Sequence, residues 1–172
     1  GWEPLRLTGG DMKIATSANR AGQIWTSTLD VPEIHLTDTA LNLNRLKFDI
    51  GMKDQHSEFS AKTVIPTLGG AHRSLLRTET AQISVKYKSP EQNLSVQLNT
   101  PMELHRGYLA RLAAYKLSGN YSNRSLPRGE IRLALDGHGE LDLRNEVLSL
   151  DSRGQLDGEA LSSQINLENF IS

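Results

Sequence analysis

The sequence predicts an all-β protein: an antiparallel meander forming a strongly curved sheet, either a β-groove or a half-open roll or sandwich, with at most one or two short helices. Three observations lead there. From Glu130 to Ser172 apolar residues stand at every second place, in the runs Ile131-Leu133-Leu135, Leu141-Leu143, Leu148-Leu150, Leu156 and Ile165-Leu167. Side chains two apart in an extended chain share a face, so each run describes a strand that is apolar on one side. The runs are separated by Gly- or Asp-rich breaks, among them Asp136-Gly137-His138-Gly139-Glu140 and Asp157-Gly158, where Gly supplies positive φ and Asp bonds its own backbone. Finally, the chain offers almost no amphipathic helix to cover the apolar face.

The first hundred residues repeat the signature with more interruptions. Leu5-Leu7 and Met12-Ile14 flank Thr8-Gly9-Gly10-Asp11, which reads as a hairpin turn. After a polar stretch, Trp25-Ser27-Leu29-Val31 forms a strand that Pro32 marks as an edge or an end. Ile34-Leu36 and Leu41-Leu43 follow, then the clear alternation Leu46-Phe48-Ile50-Met52. Phe59-Ala61 with Val64-Ile65 reads as a strand stopped by Pro66, and Gly69 to Arg73 as a loop. Ile83-Val85-Tyr87 and Leu94-Val96-Leu98 make a hairpin around Ser89 to Asn93, closed by Pro101. Ala113 to Tyr121 reads as a strand, with room for a short helix before it, and Asn123 to Arg128 as a loop. About a dozen short strands result, fitting one domain over residues 1–172.

Composition excludes several functions. Nineteen Lys and Arg against twenty Asp and Glu leave a net charge of −1, so no global field attracts nucleic acid. The basic stretch from Leu104 to Arg132 has interleaved tyrosines but no nucleic-acid motif, and reads as charged outer faces and loops. With no cysteine there is no disulfide, thiolate metal site or Cys nucleophile. No apolar run approaches the roughly 20 residues of a membrane-spanning helix.

An enzyme needs groups at spacings that a fold can bring together. The histidines (His35, His56, His72, His105 and His138) are isolated, and no nucleophile elbow, phosphate loop or dinucleotide fingerprint is present. Asp142, Asp151, Asp157 and Glu159 fall at strand ends and turns, where solvent is the usual partner. The expectation is a non-enzymatic domain with no cofactor, no catalytic residue and no metal site.

What remains is the apolar face, and soluble monomers rarely leave such a patch bare. The sheet curls on itself, a second sheet packs across it, or a lipid-like ligand fills it. The Leu-rich, aromatic-poor composition suits a flexible aliphatic partner.

The order Gly129-Glu130-Ile131-Arg132-Leu133-Ala134-Leu135-Asp136-Gly137, Gly139-Glu140-Leu141-Asp142-Leu143, Val147-Leu148-Ser149-Leu150, Gly154-Gln155-Leu156-Asp157-Gly158 and Ile165-Asn166-Leu167-Glu168-Asn169-Phe170 resembles the C-terminal part of AsmA-family proteins. The match is good from about Gly129 and schematic before it. The resemblance implies a periplasmic protein of a Gram-negative bacterium, anchored in the inner membrane by a segment outside this sequence and contributing to outer-membrane biogenesis. It implies a greasy β-groove that carries phospholipid or another acyl-chain ligand, with adjoining β-domains of the full-length protein as further partners. The positions it carries over as lipid-facing are Ile131, Leu133, Leu135, Leu141, Leu143, Leu148, Leu150, Leu156, Ile165 and Leu167. The rival expectation is a structural or protein-interaction β-sandwich that associates through its edge strands.

Overall fold

The computed structural model describes residues 6–127, 129–157 and 159–168, and in these the chain forms one ten-stranded antiparallel sheet in simple meander order. The strands are β1 (Arg6–Arg20), β2 (Gln23–Thr37), β3 (Ala40–Lys53), β4 (Glu58–Ala71), β5 (Leu75–Lys88), β6 (Gln92–His105), β7 (Leu109–Asn123), β8 (Glu130–Asp142), β9 (Val147–Leu156) and β10 (Glu159–Glu168). No helix occurs among the described residues. Leu5, Arg128, Gly158 and the closing Asn169-Phe170 lie outside them.

The architecture is all-β, as the alternation predicts, but the strands are fewer and longer. Thr8 to Asp11 is no turn, because β1 runs straight through it to a turn at Ala21-Gly22. Pro32 lies inside β2, which pairs on both sides, and Pro66 and Pro101 lie inside β4 and β6. Gly69 to Ala71 belongs to β4. Asp136 to Glu140 is the middle of β8, so Ile131 to Leu141 is one strand, and Leu143 falls in the turn that follows.

A single physical cause accounts for these differences. The pairing skips Asp11 against Pro32, Pro32 against Arg45, and Arg45 against Pro66. At each of these a facing pair drops out of the ladder without a change of register, and the alternation changes phase there, as Leu41-Leu43 followed by Leu46-Phe48 shows. True extra residues, which shift the register, fall between Thr78 and Ala81 in β5 and between Leu112 and Tyr115 in β7. Because each sits opposite the next, they form one line across the sheet at mid-strand. Bulges bend a strand and sharpen its twist. Prolines are tolerated there since no ladder partner waits for an N–H, and Asp11 and Arg45 take the left-handed conformation, each at φ 56°.

Counting through the bulges, the register keeps one set of side chains on one face throughout. That face carries Ile14, Leu29, Phe48, Thr63, Ile83, Leu98, Leu117, Leu135 and Gly154 in a single row from β1 to β9. The nine buried residues among those described lie on it, close to the line of bulges: Val31, Ile65, Leu68, Leu76, Thr78, Ala81, Thr100, Tyr115 and Ser152. A flat sheet of one layer buries nothing to the 1% exposure of Ala81 or the 2% of Val31. Among the described residues, substantial contacts join only strands adjacent in sequence, so no second sheet of these residues covers them. The sheet is therefore creased along the bulges, with the apolar face inside. The half-strands are the walls of a trough and the turns its two rims. Its accessible surface of 12048 Å2 compares with about 8,400 Å2 for a compact protein of 19.0 kDa, the signature of an open layer.

Candidate functional site: an apolar trough

The trough is built from the crease outward. At its floor Ile65, Leu68, Leu76 and Ala81 form the tightest cluster, with Leu41, Leu43, Leu46, Met102 and Leu104 packed against it. Farther along the crease Tyr115 of β7 lies across Gly137 of β8 and bonds the Ser152 hydroxyl of β9. A Cβ at Gly137 would collide with the Asp151 carbonyl oxygen and sit 2.8 Å from the Tyr115 ring, so only glycine lets the ring lie flat there. Gly137 is thus a packing glycine of the floor, which is why Asp136 to Glu140 looks like a turn in sequence.

Of the ten positions expected to face lipid, nine share the apolar face. In register, Leu133 faces Leu156, Leu141 faces Leu148, Leu148 faces Leu167, and Leu150 faces Ile165. Ile131 and Leu135 continue the face towards Tyr121 and Leu117. Leu143 is the exception: it sits in the β8–β9 turn on a rim, with its amide donating to the Tyr108 carbonyl at 2.9 Å. Along β8 the apolar-face residues are partly buried and the alternate ones exposed through most of the strand, as a bend towards the apolar side requires.

The face is also larger than those ten residues. β2, β3, β5 and β6 supply Leu29, Leu36, Phe48, Ile50, Ile83, Val85, Val96 and Leu98 to the same side. The alternation marking them is visible in sequence, but the phase change at each bulge hides that the two halves of a strand look the same way. Of the ten large apolar side chains exposed among the described residues, eight belong to this face: Leu7, Met12, Ile14, Trp25, Phe48, Leu156, Ile165 and Leu167. Leu7 keeps 55% and Leu167 48% of its surface open.

The outer face is polar. Arg77, Glu103, Arg111 and Glu140 stand in one register row across β5 to β8, with Arg77 to Glu103 at 2.9 Å and Arg111 to Glu140 at 2.8 Å. The Glu103 carboxyl is held below its usual range, first by the His105 hydrogen bond and then by Arg77. Glu33 is lowered by His35 and Asn44, and Glu130 by Arg132 and Asn120. A depression of about 850 Å3 across β6 to β10 draws its lining from residues of both faces, among them Arg111, His138, Glu140, Leu150 and Ile165. Two of the turn acids bond backbone amides. Asp142 accepts from the amides of Arg144 and Asn145, and Asp157 accepts from the Arg132 amide at 2.7 Å. Among the described residues no three His, Asp or Glu side chains gather as a metal site.

The trough can therefore hold an elongated apolar molecule by burial alone. Ten strands at about 4.8 Å spacing make it about 43 Å long, while an acyl chain spans half of the roughly 30 Å hydrocarbon core of a bilayer. Compared with family models, with curated proteins and with solved structures, the chain matches none.

Proposed function

We propose that the chain is a non-enzymatic lipid-handling domain whose trough shelters the acyl chains of a phospholipid. The observation that carries this reading is the unbroken apolar face on the inside of a creased single-layer sheet, bearing eight exposed large apolar side chains. Burial of each CH2 contributes about 0.8 kcal/mol, and a continuous apolar strip lets a chain slide without breaking polar bonds. The resemblance of residues 129–172 to the AsmA family supports a place in the periplasm, an inner-membrane anchor in the full-length protein, and a part in outer-membrane biogenesis. Organic extraction of the purified domain followed by mass spectrometry tests it. Co-purifying phospholipid at near-stoichiometric yield is the expected result, and a lipid-free domain that takes up none from vesicles contradicts it.

A second reading rests on the sheet edges. β1 and β10 each pair on one side only, and β1 is exposed along all fifteen residues. Such an edge recruits a further strand. On this reading the domain is an interaction module, and a proline at an outer-face position of β1 such as Lys13 abolishes association without altering lipid uptake.

A further inference from the structure

We propose that the rim formed by the β2–β3, β4–β5, β6–β7 and β8–β9 turns takes the phosphate of a phospholipid headgroup through Arg73, Arg106 and Arg144, while the acyl chains lie in the trough. The inference rests on the lipid-handling reading and adds a headgroup class and a side. In a meander, alternate turns come to the same edge, so three successive hairpins on this rim each present an arginine. All three are exposed, and none belongs to an ion pair among the described residues, in contrast to Arg77, Arg111 and Arg132. The turns are tied side by side, since the Arg106 amide donates to the Ser74 carbonyl and the Leu143 amide to the Tyr108 carbonyl, both at 2.9 Å. Arg144 lies 5.8 Å from the centre of the Tyr108 ring, which supports its guanidinium.

Hairpins two strands apart recur at about 9.6 Å, so one headgroup can be handed from one arginine to the next along the rim. Asp38 and Glu146 are the acids of these turns. The opposite rim is the reverse, with Asp54, Glu91 and Asp157 against Arg124 among its described turn residues. Exposed Leu143 on the arginine rim, with Leu7 and Leu167 on the adjoining wall, adds an apolar border. Arginine above hydrocarbon-compatible surface fits an amphiphile with an anionic head, and its planar fork matches phosphate oxygens.

The test is competitive loading, read by native mass spectrometry, of dioleoylphosphatidylglycerol against dioleoylglycerol, which has the same chains and no phosphate. The native domain is expected to prefer the phospholipid by about tenfold. The variant Arg73→Gln, Arg106→Asn, Arg144→Gln is expected to keep dioleoylglycerol binding and lose the preference. Asn replaces Arg106 because its φ of 51° suits that residue. Arg124→Gln on the other rim should keep the preference, and excess inorganic phosphate should not displace the lipid. Equal loading of the two lipids by the native domain, or a preference that survives in the triple variant, overturns the headgroup assignment and leaves the lipid-handling reading standing. Displacement by inorganic phosphate overturns it too, by revealing a bare anion site. Binding of neither lipid overturns both.

Discussion

The hydroxyl of Tyr115 on β7 bonds that of Ser152 on β9, reaching over the intervening strand β8 at Gly137. Both residues are almost completely buried at the floor of a sheet that has only one layer. Tyr115→Phe leaves the Ser152 hydroxyl buried without this partner, and is expected to cost about 1–2 kcal/mol in urea unfolding. Adding Ser152→Ala should recover most of that loss. A single-mutant cost with no recovery in the double mutant would show that the hydroxyl acts through the Asp151 carbonyl and not through Ser152.

Gly137→Ala should be worse than either. Its Cβ meets the Asp151 carbonyl and the Tyr115 ring, so β8 must move or the ring must leave the floor. A loss of about 2–3 kcal/mol is expected, and it persists when Tyr115 is also replaced by Ala, because the clash with the Asp151 carbonyl remains. Thermal melting of the two variants measures this, and an unchanged midpoint for Gly137→Ala contradicts the creased geometry.

The bulge residues set the phase of the strands. Arg45 sits at φ 56°, so Arg45→Gly should be neutral or stabilising by up to about 1 kcal/mol, and Arg45→Val destabilising by about 1–2 kcal/mol. Deleting Arg45 should be far more damaging, because it puts Leu41 and Leu43 onto the polar face and takes them from the floor cluster. Circular dichroism and urea midpoints separate the three cases.

These bulges also explain what the sequence conveys and what it conceals. The alternation Ile83-Val85-Tyr87 against Leu94-Val96-Leu98 predicts its hairpin correctly, because no bulge interrupts the paired segment. Gly10-Asp11, Pro32, Pro66 and the Gly137-His138-Gly139 step are spelled like turns, and a turn and a mid-strand bulge ask the same things of the backbone: positive φ, a missing donor or close approach. Nothing local distinguishes them, since the difference lies in what stands opposite, as Asp11 does to Pro32 and Arg45 to Pro66. The same limit applies to the trough. Nine of its expected positions are readable from period two, Leu143 is misplaced because the strand ends one residue earlier, and the contribution of β1 to β7 emerges only once the phase changes are summed across the sheet.

Acid should loosen the fold within a definite window. Glu33, Glu103, Glu130, Asp54 and Asp142 have carboxyl pKa values lowered in the folded state from the ordinary 4.5 for Glu and 3.8 for Asp. A lowered folded-state value gives stability that is complete above the ordinary value and is lost as pH falls through the folded one. The urea midpoint should stay level from about pH 8 to pH 5 and decline below about pH 4.5, less steeply in Glu33→Gln, Glu103→Gln, Glu130→Gln. A main loss above about pH 5.5 would contradict the assignment to these carboxylates.

The central claim is that hydrocarbon meets one face of this sheet and not the other, and neighbouring residues can be made to report it. Benzoylphenylalanine placed at Leu98 or Leu135 points into the trough, while at Gln97 or Ala134 it points to the outer face. After irradiation with bound phospholipid, the account predicts lipid adducts at Leu98 and Leu135 and almost none at Gln97 and Ala134. Adducts equal on both faces, or absent from Leu98 and Leu135 while lipid remains bound, would contradict it.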